Sequence, residues 1–129
     1  MSEDLIWAAG LFDGEGCIGI YNTTDGTNLA FQLGMTDEPT VARFADILDL
    51  TYIERGDQSS RFFVVAISHA TAERAVRLLW PYLYTKRRQA RLALIFRSTF
   101  SGYGRLSDET KLVRDRCKDL IARAKKPRK

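Results

Sequence analysis

The chain has 129 residues, 45% hydrophobic and 28% charged, with a net charge of +4. That length allows one domain with an ordinary core, and no run reaches the roughly 18 apolar residues that suggest a membrane span. A lone histidine, His69, and two distant cysteines, Cys17 and Cys117, exclude a histidine-rich or cysteine-rich metal cage; the thiols read as reduced and mostly buried.

Residues 5–12, Leu-Ile-Trp-Ala-Ala-Gly-Leu-Phe, carry no polar side chain, and Asp13-Gly14-Glu15-Gly16 follow at once. This reads as a helix capped by Ser2, with Glu3 and Asp4 favourable in its first turn. A helix apolar all round needs cover on every side. Its own core supplies one side. Small residues would let a second copy approach on the other, so the expected homodimer interface is Trp7, Ala8, Ala9, Gly10, Leu11 and Gly14.

Residues 17–23 read as a strand, residues 24–27 as a turn, and residues 28–36 as a second strand. There Leu29, Phe31, Leu33 and Met35 alternate with Asn28, Ala30, Gln32 and Gly34. Thr36 or Asp37 caps the next helix, whose buried stripe is Val41, Phe44, Ala45 and Leu48. Residues 51–55 and 61–68 form a second hairpin. Its inner face stays open, because residues 62–67 are continuously apolar. A helix is expected over about 70–83, with Pro81 near its end, and another over about 87–100. After a Gly-rich loop at 101–105, Ser107 caps a last helix over 108–124, with Val113, Cys117, Leu120, Ile121 and Ala124 inward.

The order is helix, hairpin, helix, hairpin, helix, then extra helices. The expected class is α+β: an αββαββα core over about residues 3–100, with one four-stranded antiparallel sheet and helices on one face. A C-terminal helix (107–124) and a basic tail (125–129) complete a single domain, 1–129. Between Thr85 and Ser107 stand Lys86, Arg87, Arg88, Arg91, Arg97 and Arg105, with no acid, and Arg123, Lys125, Lys126, Arg128 and Lys129 crowd the end. Clustered cations point to a polyanion such as nucleic acid.

The nonapeptide Ala8-Ala9-Gly10-Leu11-Phe12-Asp13-Gly14-Glu15-Gly16 resembles the LAGLIDADG motif of homing endonucleases, and the element order extends the likeness to about residues 3–100. The resemblance implies a saddle-shaped sheet on the DNA major groove. It also implies a single-motif enzyme that cuts both strands of a long, nearly palindromic duplex site as a homodimer, as in intron or intein mobility. Mg²⁺, or Mn²⁺, is the implied metal. A magnesium site needs only one or two protein carboxylates beside phosphates and waters.

By resemblance, Glu15 is the metal ligand, assisted by the Gly14 carbonyl. Asp13 reads either as a capping residue or as a further ligand. Lys86, just beyond Pro81-Tyr82-Leu83, matches an active-site lysine. A fixed cation there would stabilise phosphate charge. Asp37 matches a water-organising catalytic position, but it is equally a helix cap. The sequence departs from the resemblance at Val41, where some members carry a second basic residue; Arg43 falls on another side of that helix.

Base reading is expected from Tyr21, Asn22, Asn28, Gln32, Arg55, Gln58 and Arg61. Phosphate contacts are expected from Arg87, Arg88 and Arg91. The alternative is a non-cutting DNA or RNA binder of the same fold, a regulator or splicing maturase. The acidic start lacks a signal peptide's basic region. The expectation is an intracellular protein, of a bacterium, a phage-infected cell or an organelle, and not a secreted one.

Overall fold

A computed structural model describes residues 2–24, 26–100 and 107–125. The elements are α1 (Ser2–Glu15), β1 (Gly16–Thr23), β2 (Gly26–Met35), α2 (Glu38–Ile47), β3 (Ile53–Asp57), β4 (Ser60–Ser68), α3 (His69–Leu79), α4 (Arg87–Ser98) and α5 (Asp108–Ala124). A 3-10 turn, Trp80–Tyr82, links α3 to the approach to α4. The expected α+β order is present, and the four strands form one antiparallel sheet in the order β1-β2-β4-β3. Among the described residues, no helix is long and apolar enough to cross a membrane. The expected 101–105 loop and residues 126–129 of the basic tail lie outside the described residues, as does the Ser2 side chain on which the first cap rests.

Register resolves the ambiguous second hairpin. Phe31 pairs with Ile67, Leu33 with Val65 and Met35 with Phe63, so the odd-numbered residues of β4 share the inner face of β2. Because side chains alternate along a strand, Phe62, Val64 and Ala66 take the outer face beside Ile53 of β3. Val64 is buried there, outside the main core. The outer face of the second hairpin therefore carries an apolar patch, Ile53, Phe62, Val64 and Ala66, beside Arg55, Asp57 and Ser60.

The inner face packs under the helices. Phe12 of α1 stacks on Phe31 at 4.3 Å between ring centroids, and Phe44 of α2 lies 6.2 Å from both. A Cβ on Gly16 would overlap the Phe12 ring. The last glycine of the motif therefore makes room for that ring. The α2 stripe of Val41, Phe44, Ala45 and Leu48 is buried as expected. α2 ends in a left-handed residue, Asp49 (φ 55°), with Leu50 N–H donating to the Ala45 carbonyl at 2.8 Å. This is the Schellman pattern, here built without glycine. Arg74 of α3 donates to the Leu48 carbonyl at 2.6 Å and secures the same helix end.

Several boundaries differ from the sequence reading. α3 stops at Leu79, because Pro81 initiates the 3-10 turn rather than extending the helix. α4 stops at Ser98 and β3 starts at Ile53. In α5, Cys117 and Ile121 face inward, but Val113 is 41% exposed beside the exposed Leu112. Cys117 is buried, and that burial pushes its thiol pKa up; Cys17 is exposed, against expectation.

α3, α4 and α5 are tied by a charged seam. Glu73 accepts from Arg77 and from Arg97, each at 2.9 Å. The two guanidiniums, Arg77 first, hold the Glu73 carboxyl below its ordinary range. Arg97 and Arg114 both lie against the Phe100 ring, at 4.6 and 3.7 Å from its centroid. Burial, and then Arg97, lowers the Arg114 pKa.

Candidate functional site

The site is built where α1 delivers the chain into β1. The last carbonyls of a helix lack internal partners and form the negative end of its dipole. α1 has no basic residue in its last turn. The cation comes from elsewhere: Lys86 Nζ donates to the Asp13 carbonyl oxygen at 2.7 Å.

Asp13 makes that placement rigid. Its Oδ2 accepts from the Tyr84 N–H at 2.8 Å and its Oδ1 from the Lys86 N–H at 2.9 Å. Both carboxylate oxygens are thus committed to the segment before α4. The structural role open for Asp13 is visible here: it is a latch that carries Lys86 to the end of α1.

Glu15, two residues on, is exposed, and its carboxylate has no hydrogen bond or ion pair among the described residues. It lines an open groove of about 470 Å³ with Cys17, Gln32, Thr36, Arg61 and Phe62. The groove crosses the outer face of β1, β2 and β4. Among the described residues no three His, Cys, Asp or Glu side chains converge to hold a metal. What this chain offers a hard cation is one unpaired carboxylate, Glu15, and the exposed Gly14 at the carbonyl-rich end of α1. That donor set fits Mg²⁺ or Mn²⁺, which keep several waters and take the rest of their ligands from phosphates.

The other expected residues divide. Asp37 Oδ2 accepts from the Thr40 N–H at 3.3 Å and from the Thr40 hydroxyl, so it caps α2. Val41 is fully buried, and Arg43 stacks over Trp7 at 4.1 Å beside Asp4, so neither supplies a basic group to the site. Tyr21, Asn28, Gln32 and Arg55 have the parity of the outer face. Asn28 is partly used within the hairpin, donating to Thr23 Oγ1 at 2.6 Å.

Asn22 shares the parity of Ile18 and Ile20, so it belongs to the helix side rather than the outer face. Arg61 pairs with Glu54 at 3.4 Å. Gln58 sits at the tip of the β3–β4 turn, where Gly56 takes φ 89° and a Cβ would strike Ser60 O. Arg87, Arg88 and Arg91 line a separate groove with Trp80 and Tyr84, and Arg87 lies 4.9 Å over the Trp80 ring.

The expected pairing face of α1 is corrected at two positions. Ala8 and Ala9 are 0% exposed and belong to the chain's own core, so they cannot meet a second copy. The bare stripe is Ile6, 54% exposed, with Gly10 and Gly14, where a built Cβ would meet nothing within 4 Å. Trp7 and Leu11 flank it, partly buried.

Solved structures share this fold. The archaeal intron-encoded homing endonuclease I-Vdi141I, complexed with DNA, aligns with a TM-score of 0.77 at 11% identity, over 99% of this chain and 87% of that one. The homing endonuclease I-CvuI, in complex with the I-CreI target, aligns at 0.72 and 19% identity, over 99% and 85%. The LAGLIDADG meganuclease I-AabMI, bound to uncleaved DNA, aligns at 0.68 and 19% identity, over 89% of this chain but 43% of that one.

This chain has the LAGLIDADG homing endonuclease fold. No protein-family model and no curated protein matches the sequence. Within the LAGLIDADG fold the motif helix is α1, and the groove beside Glu15 lies on the sheet face turned away from the helices. Two features were missed from sequence. One is the apolar patch of Ile53, Phe62 and Val64 on that face; strand register alone reveals it. The other is Lys125, which α5 carries to β1: Nζ lies 3.4 Å from Cys17 Sγ and 3.2 Å from the Tyr21 hydroxyl.

Proposed function

We propose that the protein is a divalent-metal-dependent DNA endonuclease that works as a homodimer on a nearly palindromic duplex site. The observation that carries this reading is the unpaired Glu15 carboxylate beside a Lys86 held by the Asp13 latch. Glu15 and the Gly14 carbonyl would hold Mg²⁺ or Mn²⁺, which when bound supplies Lewis-acid stabilisation of phosphate charge and an activated water. Lys86 adds a fixed positive charge near the reacting phosphate. The outer sheet face, with Gln32, Tyr21 and Arg55, is the surface for the duplex.

One chain offers one such carboxylate, and cutting two strands calls for two. The bare stripe of Ile6, Gly10 and Gly14 suits pairing of two α1 helices, because small residues let backbones approach closely. A two-fold dimer presents the same surface twice, hence the nearly palindromic target. The match to less than half of the I-AabMI chain is consistent with one chain making half of a working unit.

Purified protein incubated with a pool of duplex targets should cut in Mg²⁺ or Mn²⁺ and not in EDTA. Glu15→Gln should bind the same DNA and cut at least about 10²-fold more slowly, the scale of losing one transition-state stabiliser. Equal cleavage by Glu15→Gln would remove the proposed site. A second reading, a binder that does not cut, is favoured by one observation: the α2 position that resembles a second basic site in some LAGLIDADG proteins is the fully buried, uncharged Val41. Binding with no nick in either metal would establish it.

A further inference from the structure

We infer that Lys125 and the Tyr21 hydroxyl form a phosphate-binding station on the outer sheet face, so that α5 is part of the nucleic-acid surface. The inference rests on the reading of that face as the one that meets DNA. Lys125 follows the last residue of α5, and its N–H donates to the Ile121 carbonyl at 3.2 Å. α5 packs along β1, which is an edge strand of the sheet. From there the Lys125 side chain reaches Cys17 and Tyr21, which alternate with the inward Ile18 and Ile20 and so face outward.

The strand is shaped for this contact. Gly19 lies between Cys17 and Tyr21, and a Cβ there would overlap the Tyr21 ring. The ring therefore lies back along the strand, and its hydroxyl comes within 3.9 Å of Cys17 Sγ. Cys17 lines the same groove as Glu15. The station thus stands beside the candidate catalytic carboxylate, on the same face.

The chemistry is that of an anion site. An ammonium has three donors and no acceptor. Here two are directed at neutral groups, a phenol oxygen at 3.2 Å and a thiol at 3.4 Å, and no carboxylate pairs with Lys125 among the described residues. The phenol accepts from the ammonium, and its O–H, 3.9 Å from the weakly accepting Cys17 Sγ, can turn to a stronger acceptor. One N–H and one O–H side by side suit the oxygens of a backbone phosphate, a contact that positions a duplex without reading its sequence. The helix dipole accounts for a cation at the end of α5, but not for its turn onto the sheet.

The test is the salt dependence of binding to random-sequence duplex DNA, between about 50 and 200 mM salt. Lys125→Met should lower the slope of log affinity against log salt by roughly 0.9, with about tenfold weaker binding near 0.1 M salt, the weight of one phosphate contact. Lys125→Arg should restore most of the slope. Tyr21→Phe should weaken binding about threefold and leave the slope unchanged, as expected for one neutral hydrogen bond.

DNA should also slow alkylation of the exposed Cys17 by N-ethylmaleimide, read by mass spectrometry with the buried Cys117 as the internal standard. If wild type binds and Lys125→Met keeps the full slope while losing only thermal stability, Lys125 is a structural latch and the inference is overturned. Unchanged Cys17 alkylation in saturating DNA overturns it as well. If wild type shows no salt-dependent affinity for duplex DNA, the parent reading of the sheet face fails first.

Discussion

The two sides of α1 are made of the same kinds of residue and behave oppositely. Ala8, Ala9 and Phe12 are closed into the core under the sheet, while Ile6, Gly10 and Gly14 stand bare. In most surface helices polarity tells the two sides apart. Here only coverage does, and the uncovered side is where a second chain is expected. The same helix then ends in two acids with divided duties: Asp13 is consumed in holding Tyr84 and Lys86, and the Glu15 carboxylate has no partner among the described residues.

The sharpest way to break the buried side is Phe12→Ala. It removes a ring stacked on Phe31, and about 3–5 kcal/mol of stability should be lost in urea unfolding. Next is Asp13→Asn, which replaces one of two charged acceptors with a donor facing a backbone N–H. It should cost about 1.5–3 kcal/mol and slow cleavage by displacing Lys86, while duplex binding is largely kept. A loss of stability with no effect on cleavage would separate the latch from the chemistry.

A smaller effect belongs to the seam away from α1. The Glu73 pKa is depressed in the folded chain, so its stabilising contribution is present above its ordinary value of 4.5 and is lost as pH falls through the folded value. Glu73→Gln should lower stability by about 1–2 kcal/mol at neutral pH. It should also flatten the acid limb below about pH 4.5 in a comparison of urea midpoints.

The smallest effect tests the bare side. Gly10→Ala meets no atom within 4 Å, so at concentrations low enough to keep chains apart it should raise stability by up to about 1 kcal/mol. At higher concentration, sedimentation should show weaker self-association if two α1 helices approach closely at Gly10. Unaltered association would place the contact elsewhere.

Much of this was legible in the residues. Alternation in residues 28–36 assigned the inner face of β2 correctly, and the spacing of Val41, Phe44, Ala45 and Leu48 described α2 as it is found. These are local periodicities, and burying one face leaves only one solution. Where the local pattern was degenerate, pairing had to decide. Residues 62–67 fit either face until Phe63 was set opposite Met35.

By its own order of residues, the sequence determined the α+β class, the succession of helices and hairpins, the acidic end of the first helix and the basic stretch near residue 86. Those follow from period, caps and composition, which act within a few residues. Tertiary structure decided which small residues of α1 are sealed and which are bare, that Asp13 is spent on a backbone 71 positions away, and that a lysine from the far end of the chain comes to rest beside Cys17. Such pairings join segments that are distant in the chain. They are set by packing in three dimensions, and no local spacing encodes them.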